Sequence, residues 1–102
     1  MAVTKKTVVK KSVEDYMDVL NNKKWTAHNM DWLYIEVNAN DLMAEVEPGV
    51  HNLTNACKAM LEAMLEGDDF IVEPKVKTKV AGTLTVRYYC DNLSPERKKY
   101  NA

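Results

Sequence analysis

The chain has 102 residues, 46% of them hydrophobic and 28% charged, which is the composition of an ordinary one-domain globular protein. No apolar run approaches the roughly 20 residues of a membrane helix, and the opening MAVTKKTVVKKS lacks the apolar core of a signal peptide. We therefore expect a cytoplasmic protein with no membrane partner. Cys57 and Cys90 are too few for a disulfide framework and lack metal-ligand spacing, so we expect reduced structural thiols, no metal and no cofactor.

The first third of the chain predicts an arm, a helix and a strand. Residues 1–11 carry four lysines and no acid, which is typical of a flexible basic arm. Ser12 is a good N-cap, and apolar residues follow at helical spacing as far as Asn22. We expect a loop over residues 23–30, with Trp25 packed back on the core, and a strand over residues 32–37.

The middle of the chain predicts two helices separated by a sharp turn. The segment NDLMAEV can be capped by Asn38 or Asn40, and it stops at Glu47-Pro48-Gly49 because proline cannot continue a helix. The next helix is expected over residues 51–66, with Gly67 at its C-cap. Its apolar stripe consists of Leu53, Cys57, Met60, Leu61, Met64 and Leu65.

The last third predicts two strands around a lysine-rich loop. Residues 70–72 and 84–89 are rich in β-branched and aromatic side chains. Between them, Lys75, Lys77 and Lys79 alternate with other residues, so an extended hairpin would place all three on one side. The predicted organisation is a basic arm (1–11), a folded domain (12–90) and a polar tail (91–102).

This order of helix, strand, helix, helix, strand, loop and strand resembles the winged helix-turn-helix superfamily. The resemblance implies an α+β domain with three helices and a three-stranded antiparallel sheet. It also implies binding of double-stranded DNA, with the second helix of the pair in the major groove. A homodimer would strengthen such binding. On this chain the implied DNA contacts are His51, Asn52, Asn55 and Lys58 on that helix, Lys75, Lys77 and Lys79 on the wing, and Arg87.

Each of these contacts has an alternative interpretation. Asn52 could simply cap the helix, Asn55 could be an ordinary surface residue, and the loop lysines could protect a sheet edge. The charge pattern also leaves a second function open, because residues 12–70 carry three lysines against twelve acids. Such an acidic surface is typical of a protein-interaction module, including an anti-defence or DNA-mimic inhibitor.

An enzyme is not expected. The two histidines stand in no catalytic motif, and three glycines form no phosphate-binding loop. The pair Asp68-Asp69 follows Gly67 and is interpreted as a solvated turn rather than as a catalytic dyad.

Overall fold

The computed structural model describes residues 11–100, and the predicted fold class is confirmed within that range. The chain forms three helices and three strands in the predicted order. Their bounds are α1 Val13–Asn29, β1 Tyr34–Asn38, α2 Ala39–Val46, α3 Leu53–Glu62, β2 Asp69–Val72 and β3 Thr85–Tyr89. Residues 1–10 of the predicted basic arm lie outside the described range. None of the three helices is long and apolar enough to cross a membrane.

The three strands form one antiparallel sheet with β3 in the centre, in the order β1-β3-β2. Val37 of β1 and Phe70 of β2 both lie opposite Val86 of β3. Val86 and Tyr88 are fully buried, because successive residues of a strand point to opposite faces and these two face the helices. One face of the sheet therefore closes the core.

Helix α3 lies at the centre of that core. Its residues Cys57 and Met60 are fully buried and pack in one cluster with Tyr16 and Leu20 of α1 and with Val86. The predicted apolar stripe is thus confirmed as the core-facing side of α3 from Leu53 to Leu61, whereas Met64 and Leu65 lie beyond the end of the helix.

Helix α1 is seven residues longer than the predicted end at Asn22, so the predicted loop over residues 23–30 is wrong. The extra turns are held by burial: Lys24 is 3% exposed and Ala27 is 1% exposed. Two consecutive asparagines lower helix propensity only slightly, and tertiary packing overrides that. Trp25 faces outward and is 50% exposed, so its predicted packing on the core is also wrong.

Helix α3 is shorter than predicted, because it ends at Glu62 with Ala63 as its C-cap. Two buried donors meet its last carbonyls: Lys24 Nζ donates to Ala63 O at 2.6 Å, and Tyr88 Oη donates to Met60 O at 2.6 Å. These bonds satisfy acceptors that a helix end leaves open. Gly67, the predicted C-cap, lies instead in the following turn with φ of 99°.

That turn is organised by Asp68, which is 2% exposed rather than solvated as predicted. Its carboxylate accepts hydrogen bonds from Leu65 N and Tyr89 N, both at 2.8 Å, and from Arg97 Nη2 at 2.8 Å. Asp69 is exposed. The interpretation of Asp68-Asp69 as a solvated pair therefore holds for Asp69 and is wrong for Asp68.

The described part of the polar tail, residues 91–100, packs on the C-terminal end of α3. Glu66 N donates to Lys98 O at 2.8 Å, and Tyr100 N donates to Met64 O at 3.0 Å. The Tyr100 ring also meets the Phe70 ring edge-on, with centroids 5.8 Å apart. This segment is part of the folded domain.

Candidate nucleic-acid interface

A tight turn separates α2 from α3, the helix that the sequence predicts to lie in the major groove. Pro48 follows the C-cap of α2, Gly49 adopts φ of 78°, and Val50 N donates to Glu47 O at 3.0 Å. A positive φ is favourable for glycine because it has no Cβ. The two helices are therefore separate elements, as a helix-turn-helix requires.

A buried carboxylate, Glu47, joins this turn to α1 and to the start of α3. Its Oε1 accepts from Tyr16 Oη at 2.6 Å and from Asn52 Nδ2 at 2.8 Å, and its Oε2 accepts from Lys11 N at 2.9 Å. Buried charges in proteins require such partners. Glu47 is therefore a structural residue, and its charge is not presented to a ligand on the surface.

The hydrogen bonds around Glu47 also keep it ionised. Burial raises the pKa of its carboxyl, but the bonds from Tyr16, Asn52 and Lys11 outweigh burial and hold that pKa below its usual value. Burial, together with the Glu47 carboxylate, raises the pKa of Tyr16 above its usual value. The shared proton therefore stays on the tyrosine.

The two asparagines expected at the major groove are engaged within the protein. Asn52 is 7% exposed, and besides Glu47 its amide donates to Lys11 O at 2.8 Å. The Asn55 amide donates to the same oxygen at 3.0 Å. Asn52 makes no side-chain capping bond either. The amides of both asparagines thus bind the backbone carbonyl of Lys11 instead of being free to contact a base. Asn52 does not cap the helix through its side chain.

The remaining expected contacts near α3 lie at the surface of the domain. His51, Thr54 and Lys58 are exposed. Lys58 lines a shallow groove with Glu14 and Glu62, and Lys99 Nζ pairs with Glu62 at 2.9 Å.

The lysine-rich loop is a turn, so the predicted extended hairpin is wrong. Lys79 N donates to Val76 O at 3.1 Å, and Lys79 adopts φ of 58°. This reversal removes the period-two register that would align the three amines. Lys79 Nζ pairs with Glu73 at 3.2 Å, whereas Lys75 and Lys77 are exposed and form no ion pair within residues 11–100.

The base of this loop is packed against α2 and α3. Cys57 Sγ donates to Ala81 O at 3.5 Å, and Asn40 N donates to Gly82 O at 3.4 Å. A Cβ on Gly82 would meet the Asn40 side chain, which would have to move aside. The loop and the helix pair are thereby one packed unit.

Arg87, the last of the expected phosphate contacts, is held on the sheet. Its Nε and Nη2 donate to Glu36 Oε2 at 3.0 and 2.7 Å, and its guanidinium lies 4.4 Å from the centroid of the Tyr34 ring. The Glu36 carboxylate raises the pKa of Arg87 above its usual value. The predicted phosphate contact would require breaking this pair.

A comparison with protein-family models, with curated proteins and with solved structures finds no match to this chain. The function must therefore be argued from the geometry of the chain itself.

A second surface feature is an apolar patch at the end of α1 and the start of β1. Trp25, Met30, Trp32 and Leu33 are each at least half exposed. Met30 and Trp32 also line a groove of about 500 Å³ between α1 and β1. Apolar clusters of this kind are typical of interaction sites.

Within residues 11–100, no three histidine, cysteine or acidic side chains are grouped to hold a metal ion. Burial lowers the pKa of Lys24, and the nearby Asp68 charge opposes that effect. Lys24 is nevertheless committed to Ala63 O and lies 4.6 Å from the centroid of the Tyr88 ring, so its role is structural.

Proposed function

We propose that this protein binds double-stranded DNA through α3 and the loop of residues 73–84. The proposal is supported above all by the packing of that loop on α3, where Cys57 Sγ of the helix lies 3.5 Å from Ala81 O of the loop. Lys58 of α3 and Lys75 and Lys77 of the loop therefore belong to one packed unit, which also includes the turn between α2 and α3. Such an arrangement suits a helix in the major groove with a flanking loop on the phosphate backbone.

The residues proposed to contact DNA are those whose side chains are exposed in the folded protein. His51 precedes the N-cap of α3 and Thr54 lies in its first turn. Both would meet base edges, since the N-terminal residues of such a helix do so. Lys58, Lys75 and Lys77 would meet phosphates. Asn52, Asn55 and Arg87 are not proposed as contacts, because their donors are engaged within the protein.

Three phosphate contacts set the expected strength of binding. Each neutralised phosphate contributes about 0.9 to the slope of log K against log salt, so these three contribute about 2.7. Binding by a single copy should therefore be weak, with a modest dependence on salt. A homodimer on a two-fold site would double the number of contacts.

The test is fluorescence anisotropy with a labelled duplex over a series of salt concentrations. Lys77→Ala should lower the salt slope by about 0.9 and weaken binding to all sequences alike. Lys98→Ala is the matched control, because Lys98 lies in the segment packed at the opposite end of α3. The proposal is wrong if the parent shows no binding at micromolar protein in low salt.

A second candidate function, binding of a basic protein partner, is favoured by the apolar patch at Trp25, Met30, Trp32 and Leu33. Asp31 and Asp91 border that patch beside Trp32 and Leu33. The fitting partner would present apolar side chains flanked by lysine or arginine. Trp32→Ser should abolish capture of such a partner from nuclease-treated lysate while leaving the salt slope for DNA unchanged. Capture that survives this substitution would refute this candidate.

A further inference from the structure

Strand β1 forms one edge of the sheet, and the side that faces away from β3 is open. Within the described residues 11–100, β1 pairs with β3 alone. Cys90 N donates to Leu33 O at 2.7 Å, so the peptide groups of Leu33 face the sheet. Because the peptide groups of an antiparallel strand alternate between its two sides, the N–H and C=O groups of Tyr34 and Glu36 point away from the sheet.

The two edges of the sheet differ in how they are protected. Edge strands normally carry a proline, a lysine or a bulge that discourages further pairing. The register of β2 shifts between Phe70 and Val72, and Pro74 follows that strand closely. In contrast, β1 runs in unbroken register, and none of its five residues is a lysine or a proline. Strand β1 is therefore the edge at which an additional strand can pair.

The groove between α1 and β1 lies along this open edge. Ile35, Glu36 and Val37 all line it, and so do Thr26 and Met30 of α1. Successive side chains of a strand point to opposite faces, so a groove that touches three consecutive residues follows the edge of the strand. A strand paired with β1 would lie over the groove and would direct every second side chain towards α1.

The charges at one end of the groove indicate the chemistry of the partner. Trp32 lines both this groove and a smaller one, which Asp31 and Asp91 also line. Both carboxylates are exposed, and neither forms an ion pair within residues 11–100. The carboxylates along the rest of the groove are already paired with cations of this chain. A lysine or arginine of the partner would therefore be attracted to the Trp32 end.

A free peptide fits this edge better than a second copy of the chain does. In a second copy the core-facing Val37 of β1 is 7% exposed and is committed to its own core. Two copies paired through β1 would thus leave the groove without side chains from the added strand. A free extended peptide carries side chains on both faces and has no such restriction.

We propose that β1 binds an extended peptide, which becomes an additional edge strand of the sheet. The peptide carries apolar side chains at every second position, which enter the groove, and a lysine or arginine that meets Asp31 and Asp91. Main-chain hydrogen bonds give such a complex affinity, and the groove gives it selectivity. This inference specifies the partner of the second candidate function and rests on that function, and it is independent of DNA binding.

The first experiment selects ten-residue peptides from a random displayed library on the immobilised parent. Enriched sequences should alternate apolar residues with others and should carry a lysine or arginine beside the apolar part. One enriched peptide is then synthesised, and its binding to the parent, Glu36→Pro and Glu36→Ala is followed by anisotropy. Thermal unfolding checks that both variants are folded.

The two variants form a matched pair. Both remove the carboxylate that pairs with Arg87, but only proline also removes the N–H that points away from the sheet. The fold tolerates proline where the N–H of an edge strand faces solvent. Glu36→Pro should bind the peptide about tenfold more weakly than Glu36→Ala, as expected for the loss of one hydrogen bond.

Amide hydrogen exchange of the parent tests the same pairing without a substitution. Peptide at about 100 times its Kd should slow exchange of the Tyr34 and Glu36 amides about 100-fold, because only the free protein exposes them. The Ile35 and Val37 amides face β3 and should change little. A peptide that leaves exchange of Tyr34 and Glu36 unchanged would occupy the groove through side chains alone and would overturn the inference.

The failure of this inference differs from that of the second candidate function. The inference alone is overturned if Trp32→Ser abolishes partner capture but Glu36→Pro and Glu36→Ala bind the peptide equally. It is also overturned if the selection enriches no peptide, or peptides without the alternation. A parent that sediments as a dimer and is dissociated by Glu36→Pro would show that a second copy occupies the edge, which likewise overturns it. Partner capture that survives Trp32→Ser overturns both.

Discussion

The sharpest prediction for stability concerns Arg97, which holds the segment 91–100 on the domain. Its Nη1 donates to Tyr89 O at 2.8 Å and to Asn92 O at 2.9 Å, and its Nη2 donates to Asp68 Oδ1 at 2.8 Å. Two longer bonds run from Nε and Nη2 to Glu66 O, at 3.4 and 3.2 Å. Arg97→Ala removes all five bonds. The Asp68 carboxylate would then keep only the two backbone amides, those of Leu65 and Tyr89.

The magnitude follows from burial. The Asp68 side chain is fully buried and that of Arg97 is 12% exposed. Removing one partner of a buried ion pair costs about 3–5 kcal/mol, because the remaining charge is left uncompensated. The two remaining amides and the nearby charge of Lys24 favour the lower end, about 3 kcal/mol. The exposed pair of Lys99 with Glu62, with side chains 68% and 53% exposed, should contribute at most about 1 kcal/mol.

The assay is urea unfolding at pH 7, followed by circular dichroism, for the parent, Arg97→Ala and Lys99→Ala. A domain of this size has a free energy of unfolding of about 5–15 kcal/mol, so a loss of about 3 kcal/mol gives a clear shift of the midpoint. The reasoning is refuted if the two variants lose the same stability within about 0.5 kcal/mol. In that case residues 91–100 would contribute little to the folded domain.

Two further predictions concern titratable groups. The folded-state pKa of Glu47 lies below its usual value, so its contribution to stability is present above the usual pKa and is lost as pH falls through the folded-state pKa. Glu47→Gln should therefore be less stable than the parent at pH 7, with the gap narrowing at pH 3 in urea unfolding; a constant gap would contradict this. Burial raises the pKa of the Cys57 and Cys90 thiols, and both side chains are fully buried. A thiolate-specific disulfide reagent at pH 8 should label them only after unfolding, and rapid labelling of the native protein would contradict their burial.

The parts of the fold that were predictable are those carried by local pattern. The stripe of Leu53, Cys57 and Met60 in α3 reports burial directly, since one helix face must leave water. Pro48 and Gly49 mark a break for covalent reasons that no tertiary contact can override. These signals were enough for the element order and the fold class.

The prediction of the candidate site was less successful, because exposure of a polar side chain is not a local property. Asn52 and Asn55 look like surface amides in the sequence, yet both bind the carbonyl of Lys11, more than 40 residues away. Arg87 is similarly paired with Glu36, 51 residues away. Sequence spacing carries no information about such partners.

The sequence by itself determined the order of the helices and strands, the core stripe of α3, the corner at Glu47-Pro48-Gly49 and the uneven distribution of charge. The tertiary structure alone decided which polar groups remain for a ligand. Lys58, Lys75 and Lys77 stay exposed, whereas Asn52 and Arg87 are engaged. The physical reason is that apolar burial follows a short period along the chain, whereas hydrogen bonds and ion pairs depend on which distant segments the fold brings within about 3 Å.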